Sequence, residues 1–262
     1  MSPRLLDAGD AAFTLEFGDT IDPALLAAVR VLDAAVACAQ AAGRLPGLIE
    51  TMPTFRSLTL FFDPLVTGRK ALLDALQPLL DGLQPQLDTA AHAPPAEGRL
   101  WRLPVCYEGD AAPDLADTAR ALGISADALV ALHSGTELRV YMLGFLPGLP
   151  FMGDLPTALH LPRRSEPRLR VPAGSVAIAG GLSAIYPWQS PGGWHLIGRC
   201  PVRLFDATRA APSLLAVGDR VQFDPVSLDT CRVLEDAAQA GTAEPMRWLQ
   251  QGAEPAAQGA CR

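Results

Sequence analysis

The stretch GSVAIAGGLSAIYPWQSPGGWHLIGR, residues 174–199, contains three short β-rich runs: GSVAIAG (174–180), SAIYP (183–187) and WHLIGR (194–199). They are punctuated by Gly and Pro and follow one another closely, which favours a closed antiparallel barrel over a parallel sheet. Working outward, TELRVYM (136–142), PVRLFD (201–206) and DRVQFDP (219–225) read as further strands of the same barrel. Upstream, RLWRLPVCY (99–107) reads as its first strand, followed by short helices over 114–122 and over 126–133, the latter behind Ser125 as N-cap. The barrel domain is therefore expected to span 98–237. Residues 238–262 form a C-terminal tail in which TAEPMRWLQQG (242–252) suggests a short helix.

A different pattern precedes the barrel. AAFTLEF (11–17) reads as a strand, and Asp22-Pro23 supplies an N-cap and an N1 proline. Leu25, Ala28, Val29, Leu32 and Val36 then share one helical face until Gly43 stops it. GLIETMP (47–53) and SLTLFFD (57–63) are two short strands, and GRKALLDALQPLLDG (68–82) a second helix that Pro78 is expected to shorten or kink. The order βαββα calls for one more strand to complete a ferredoxin-like unit over residues 1–90. DTAAHAPPAEG (88–98) has no periodicity and two adjacent prolines, so it reads as the linker. The fold class is α+β: an N-terminal ferredoxin-like domain, then a β-barrel.

With 49% apolar and 19% charged residues, the 262-residue chain is globular rather than disordered. No basic n-region with an apolar core opens it, and no membrane span is expected. Cys38, Cys106, Cys200, Cys231 and Cys261 are scattered without C-x-x-C spacing, which argues against a disulfide framework and against a structural zinc site, and suits a cytoplasmic protein. A net charge of −7 disfavours nucleic-acid binding. The charge is uneven: residues 1–97 carry 6 basic and 12 acidic side chains, whereas 139–209 carry 8 arginines against Asp154, Glu166 and Asp206.

Standard catalytic motifs are absent. The only lysine, Lys70, lies outside any G-x-x-x-x-G-K-[ST] phosphate loop, and neither H-E-x-x-H nor G-x-S-x-G occurs. The remaining signal lies between Tyr141 and Asp206. YMLGFLPGLPFMGDLP (141–156) is too stiff for a disordered loop and too apolar for an ordinary exposed one, so it reads as a binding loop. RRSEPRLRVPAG (163–174) follows, where Arg168 and Arg170 are two apart and would share a strand face, able to clamp a carboxylate or phosphate. Ser190 to Gly193 is expected to form a tight corner whose free N–H groups bind an anion. A positive φ at Gly193 is part of that expectation. Arg199 is placed equally well as a barrel brace or a ligand contact, and Tyr186 and His195 more readily as structural residues.

In this order and spacing, HSGTELRVYMLGFLPGLPFMGDLP (133–156), PRRSEPRLRVPAGSVAIAG (162–180) and IYPWQSPGGWHLIGRCPVRLFD (185–206) closely resemble the PxpB family of 5-oxoprolinase components, also called the KipI or allophanate hydrolase subunit 1 family. GDAAFTLEFG (9–18), GLIETMPTFRSLTLFFDP (47–64) and VGDRVQFDPV (217–226) fit as well. The resemblance implies that the barrel is cyclophilin-like. It also implies two partners, a homologous PxpC-like protein and a PxpA-like protein, with which the chain opens 5-oxo-L-proline to L-glutamate at the expense of ATP. ATP with magnesium is expected at the level of the complex, with none bound by this chain alone. Other readings are a regulator that inhibits a sensor histidine kinase, a component of an enzyme for another amide such as allophanate or urea, and, from the barrel alone, a prolyl isomerase. The pocket candidates are Gly144, Phe145, Pro147, Gly148, Arg168, Pro172, Ser175, Tyr186, Ser190, Gly192, Gly193, Trp194 and Arg199; no metal ligand and no catalytic acid or base is assigned. One departure bears on the substrate: Leu182 stands where the family usually has Gln, and so lacks an amide donor and acceptor.

Overall fold

A computed structural model of the chain describes residues 3–90 and 98–250. They fall into two compact units, 3–90 and 98–250. The first contains β1 (Arg4–Asp7), β2 (Ala12–Glu16), α1 (Pro23–Ala41), β3 (Leu48–Pro53), β4 (Ser57–Phe62) and α2 (Arg69–Ala90). Its sheet runs β1-β2-β4-β3, every pair antiparallel. α1 begins as its sequence predicts: the Asp22 carboxylate accepts the Ala24 N–H at 2.7 Å, and Pro23 opens the first turn. By length and hydropathy α1 would suffice to cross a membrane. Its apolar face is instead committed to the core of this unit, where Leu25, Val29, Leu32 and Val36 meet Phe13, Leu58 and Leu60.

Two expectations change here. The extra strand does not follow α2. It precedes β2, because RLLD is an edge strand held by backbone pairing from Arg4↔Glu16 to Asp7↔Phe13, and its mostly exposed side chains carry no alternating pattern. The second helix does not end near residue 82 but continues through Pro78 and Pro85 to Ala90, taking 88–90 from the expected linker. An interior proline costs a helix about 3 kcal/mol, here opposed by the burial of Leu72, Leu76 and Leu87. The rest of that linker, and the last residues of the expected tail, lie outside the described residues.

The second unit contains β5 (Leu100–Val105), α3 (Leu115–Leu122), α4 (Ala126–Gly135), β6 (Leu138–Leu143), β7 (Pro150–Gly153), β8 (Arg168–Val171), β9 (Ser175–Ala179), β10 (Leu182–Ile185), β11 (Ser190–Gly192), β12 (His195–Arg199), β13 (Arg220–Pro225) and α5 (Leu228–Gln239). Seven strands form one sheet in the order β12-β9-β10-β7-β6-β13-β5. Its ends are brought together by Cys106 and Arg199, which exchange two backbone hydrogen bonds of 2.8 Å. The sheet is thus a nearly closed barrel, antiparallel except for the β13/β5 pair. PVRLFD is not a strand. It contributes only the Phe205↔Ser213 bridge, since Pro201 has no N–H to donate and the Asp206 carboxylate turns the chain by accepting the Thr208 N–H at 3.0 Å. A helix absent from the sequence reading, α5, starts at Ser227, whose Oγ accepts the Thr230 N–H at 3.2 Å. The tail's expected helix reduces to a 3₁₀ turn, Pro245–Trp248.

β9, β10 and β12 are buried on both faces. Val176, Ile178, Ile185 and Ile197 face the barrel interior with Trp101, Leu103 and Phe223. Ala177, Ala179, Ala184 and Leu196 face outward into a second cluster with Leu149, Val171, Tyr186 and Trp194. This outer cluster is the floor on which the candidate site is built.

Candidate functional site: an aromatic groove on the barrel wall

Over the outer cluster lies a groove of about 290 Å³, walled by Phe145, Phe151, Tyr186 and Trp194, with Gly192 and Gly193 along one edge and Arg163 as its only charged lining residue. Each wall has a local cause. The chain leaves β6 at Gly144, and Phe145 takes φ 66°, a region that a bulky residue occupies only at a cost of order 1–3 kcal/mol. That turn leaves the ring 67% exposed, an unusual place for a phenylalanine. Gly148, at φ 77°, completes the return, and a Cβ there would come to 2.7 Å of the Phe205 Cβ. Trp188 donates its Nε1–H to the Pro147 carbonyl at 3.3 Å and meets Phe205 edge-on, bracing the loop from outside. Phe151 and Trp194 cross edge-to-face with centroids 5.8 Å apart.

The Ser190-to-Gly193 segment is not the anion-binding corner expected from its sequence. Ser190–Gly192 is a short strand paired with β8, from Ser190↔Val171 to Gly192↔Arg168, and neither Gly192 nor Gly193 has positive φ. Gly192 is needed for space: a Cβ there would stand 2.6 Å from the Tyr186 hydroxyl and 3.0 Å from the Val171 Cγ2. At Gly193 a Cβ would meet its nearest neighbour, Pro167, at an ordinary 3.6 Å. Burial pushes the Tyr186 phenol above its usual range, an effect that the charge of Arg163 partly opposes. Tyr186 is therefore neutral at pH 7 and presents an O–H, not a phenolate.

The arginines sort unexpectedly. Arg168 does not pair with Arg170 in a clamp; its Nη2 lies 2.5 Å from Oδ1 of Asp114, with Arg164 Nη1 at 3.5 Å from the same oxygen. Asp114, at the start of α3 and 5% exposed, also accepts the Leu196 N–H on Oδ2 at 2.7 Å. This knot ties α3, β8 and β12 together. Arg199 closes the barrel with Cys106 and approaches Glu235 of α5 at 3.6 Å. Of the thirteen candidates named from the sequence, the groove brings together Phe145, Tyr186, Gly192, Gly193 and Trp194. Gly144, Pro147 and Gly148 shape the loop behind Phe145. Ser175 is buried at the head of β9, where its carbonyl accepts the Tyr186 N–H at 2.9 Å. Pro172 sits in the exposed turn before β9, its carbonyl accepting the Ser175 N–H, and Ser190 is turned onto the Pro191 carbonyl. Arg163, Phe151 and Leu149 were missed. Phe151 and Leu149 stood in the apolar binding-loop stretch, whereas nothing in the sequence distinguished Arg163 from its neighbours.

The lining residues include no histidine, carboxylate, cysteine or serine. The groove can hold and orient a small flat molecule, with an anionic end on Arg163 and a hydrogen-bond acceptor on Tyr186, but it supplies no nucleophile or general base. His195 lies elsewhere, its Nε2 3.0 Å from the Pro162 carbonyl. His133 is wholly buried among Tyr107, Ser183 and Phe223.

Comparison with known proteins agrees with the motifs. The family described as the carboxyltransferase domain, subdomain C and D, matches residues 3–215. The chain is 41% identical over 187 residues to the B-type 5-oxoprolinase subunit of Escherichia coli O157:H7, covering 71% of this chain and 82% of that protein. It is 36% identical over 222 residues to the B-type 5-oxoprolinase subunit of Bacillus subtilis strain 168, covering 84% of this chain and 91% of that one. Among solved structures, TTHA0988 superposes with a TM-score of 0.66 at 39% identity, over 82% of this chain but only 40% of its own. The urea amidolyase of K. lactis shares the fold, with a TM-score of 0.74 at 20% identity over 95% of this chain and 16% of that one. The chain belongs to the PxpB family of 5-oxoprolinase components, also called the KipI or allophanate hydrolase subunit 1 family.

Proposed function

We propose that this chain is the substrate-holding barrel component of a cytoplasmic, ATP-dependent assembly that opens 5-oxo-L-proline to L-glutamate. In this reading the two units are a ferredoxin-like module and a cyclophilin-like barrel, and a homologous PxpC-like protein and a PxpA-like protein complete the assembly. The observation that carries it is the pairing of Arg163 with neutral Tyr186 over an apolar floor, in a groove without a nucleophile. A five-membered lactam carrying one carboxylate matches that set: the guanidinium takes the carboxylate, Trp194 and Phe151 cover the ring, and the phenol donates to the lactam carbonyl. Water attack on an amide needs an activated carbonyl and a base; the lining residues supply only a hydrogen bond toward the first, which is why the chain is read as one part of a divided site.

ATP and magnesium are assigned to the assembly, not to this groove. Among the described residues no group of three or more His, Cys, Asp or Glu is placed to hold a metal ion, and the single guanidinium of the groove is a poor match for a triphosphate. No step on this chain is routed through them. Leu182 supports a second reading, a different amide substrate: it packs against the outer cluster without lining the groove, and an amide side chain in its place would have offered hydrogen bonds.

The test is ATP-dependent release of glutamate from 5-oxoproline by this chain alone, and then mixed with PxpA-like and PxpC-like partners. Release is expected only from the mixture, and Arg163→Gln should lower it about tenfold or more through weaker substrate binding, one lost charge-assisted contact. Full activity of the Arg163→Gln assembly would remove the groove from the mechanism. No release from any mixture, with turnover of another amide, would favour the second reading.

A further inference from the structure

The barrel unit holds a second cavity, of about 120 Å³, under α5, which shares no lining residue with the groove. Arg203, Asp206 and Arg209 reach it from the loop after β12, Leu234 from α5, and Arg247 and Trp248 from the 3₁₀ turn. We infer that this cavity is a binding site for one small oxyanion, a phosphate or a carboxylate.

Three guanidinium groups face a single carboxylate there, and that carboxylate is already engaged. Asp206 accepts the Thr208 hydroxyl at 2.7 Å and the Thr208 N–H at 3.0 Å, with Arg203 at 3.5 Å. Arg209 is fixed in place by donating from Nη2 to the Arg203 carbonyl at 3.1 Å, while its Nη1 is buried without a hydrogen-bond partner. The Arg209 charge is felt by Asp206, but a buried donor atom without an acceptor is costly, and the missing partner of Nη1 is an acceptor. Arg247 lies 4.2 Å over the Trp248 ring with no carboxylate beside it among the described residues, its fork held flat by the indole. The Leu234 and Trp248 walls lower the local dielectric and strengthen any ion pair formed inside. One water needs about 10–15 Å³ of such space, so the cavity has room for a phosphate-sized group. The match to the carboxyltransferase family ends at residue 215, so α5 and the 3₁₀ turn build half of this cavity from outside the matched region.

The test is titration of the full chain with inorganic phosphate, and separately with acetate, at fixed ionic strength, followed by calorimetry and tryptophan fluorescence. Saturable binding of one anion per chain is expected, weakened about tenfold or more by Arg209→Gln and by Arg247→Gln, one charge-assisted contact each. Arg163→Gln, in the groove, should leave phosphate binding unchanged, and the acetate titration is made in that variant so that the groove's own carboxylate contact does not contribute. Saturation by phosphate alone identifies a phosphoryl ligand, and saturation by both a general oxyanion site. Arg247 is exposed, so its variant folds even if Arg209→Gln does not. Unchanged affinity in Arg247→Gln, or no saturation by about 50 mM phosphate, overturns the inference.

Discussion

Two adjacent glycines, Gly192 and Gly193, separate space from backbone conformation as reasons for a glycine. Gly192→Ala pushes a methyl to 2.6 Å from the Tyr186 hydroxyl, so either the phenol or β11 must shift. The proposed binding of 5-oxoproline in the groove should then fall about tenfold or more, the scale of one hydrogen bond to a charged or oriented ligand. Gly193→Ala, with only ordinary contacts and no positive φ, should bind as the parent does; equal losses in both variants would show that the segment is not held by Tyr186. Arg168 was expected from the sequence to contact a ligand, and its geometry gives it a structural task. Arg168→Ala leaves the buried Asp114 carboxylate with Arg164 and the Leu196 N–H. The loss of a hydrogen bond to a charged group should cost about 2 kcal/mol, seen as a fall in Tm of about 4–8 °C for a unit of this size. An unchanged melting curve would mean that Asp114 is adequately neutralised without it.

Among the elements, α4 carries an internal pH sensor of stability. Its His133 is fully buried, stacked on Phe223 of β13 with centroids 4.8 Å apart and hydrogen-bonded to Tyr107 and to Ser183 of β10. Burial pulls its pKa down from 6.5 to about 3. The unfolded chain therefore takes up this proton first. His133 burial costs little above pH 6.5 and weakens the fold progressively as pH falls toward 3, by about 2 kcal/mol between pH 6.5 and 4.5. In urea unfolding across that range, the stability gap between the parent and His133→Gln, which does not titrate, should narrow by that amount as pH falls; parallel curves would refute the assignment. The elements also show what a sequence can display. α1 was legible because its signals are local, from the Asp22 cap to the spacing of Leu25, Val29 and Val36. β1 was not, because an edge strand is specified by the backbone groups of its neighbour, and α2 outran its prolines because buried leucines on both sides of them hold it in place. In the site, the aromatic walls were legible as apolar side chains in a stiff Pro/Gly loop. Arg163 was not: four arginines between 163 and 170 look alike until Asp114, about fifty residues upstream, draws Arg164 and Arg168 away.

At the scale of the whole molecule, no core cluster among the described residues mixes residues of the two units. Phe13 to Leu87 form one core, Trp101 to Phe223 the barrel interior, and Leu149 to Leu196 the floor of the groove. The barrel also closes on itself, through Cys106 and Arg199, and the Arg99 guanidinium and Trp101 indole share the Asp219 carboxylate at 2.7 and 3.0 Å. Every lining residue of the groove, and every residue that braces it, lies between Asp114 and Phe205. Residues 98–262 expressed alone should therefore unfold in one cooperative transition and bind 5-oxoproline with the affinity of the full chain, to within the factor of two or so that separates independent sites. Residues 1–90, with their own sheet and two helices, should fold separately but bind nothing in this assay. A barrel that folds and fails to bind would mean that the N-terminal unit contributes directly to the site. A barrel that does not fold would mean that the two cores are one cooperative system despite their separate membership. Matching affinities would leave the N-terminal unit free for another role in the assembly, of which docking to a partner protein is the one that the proposed division of labour requires.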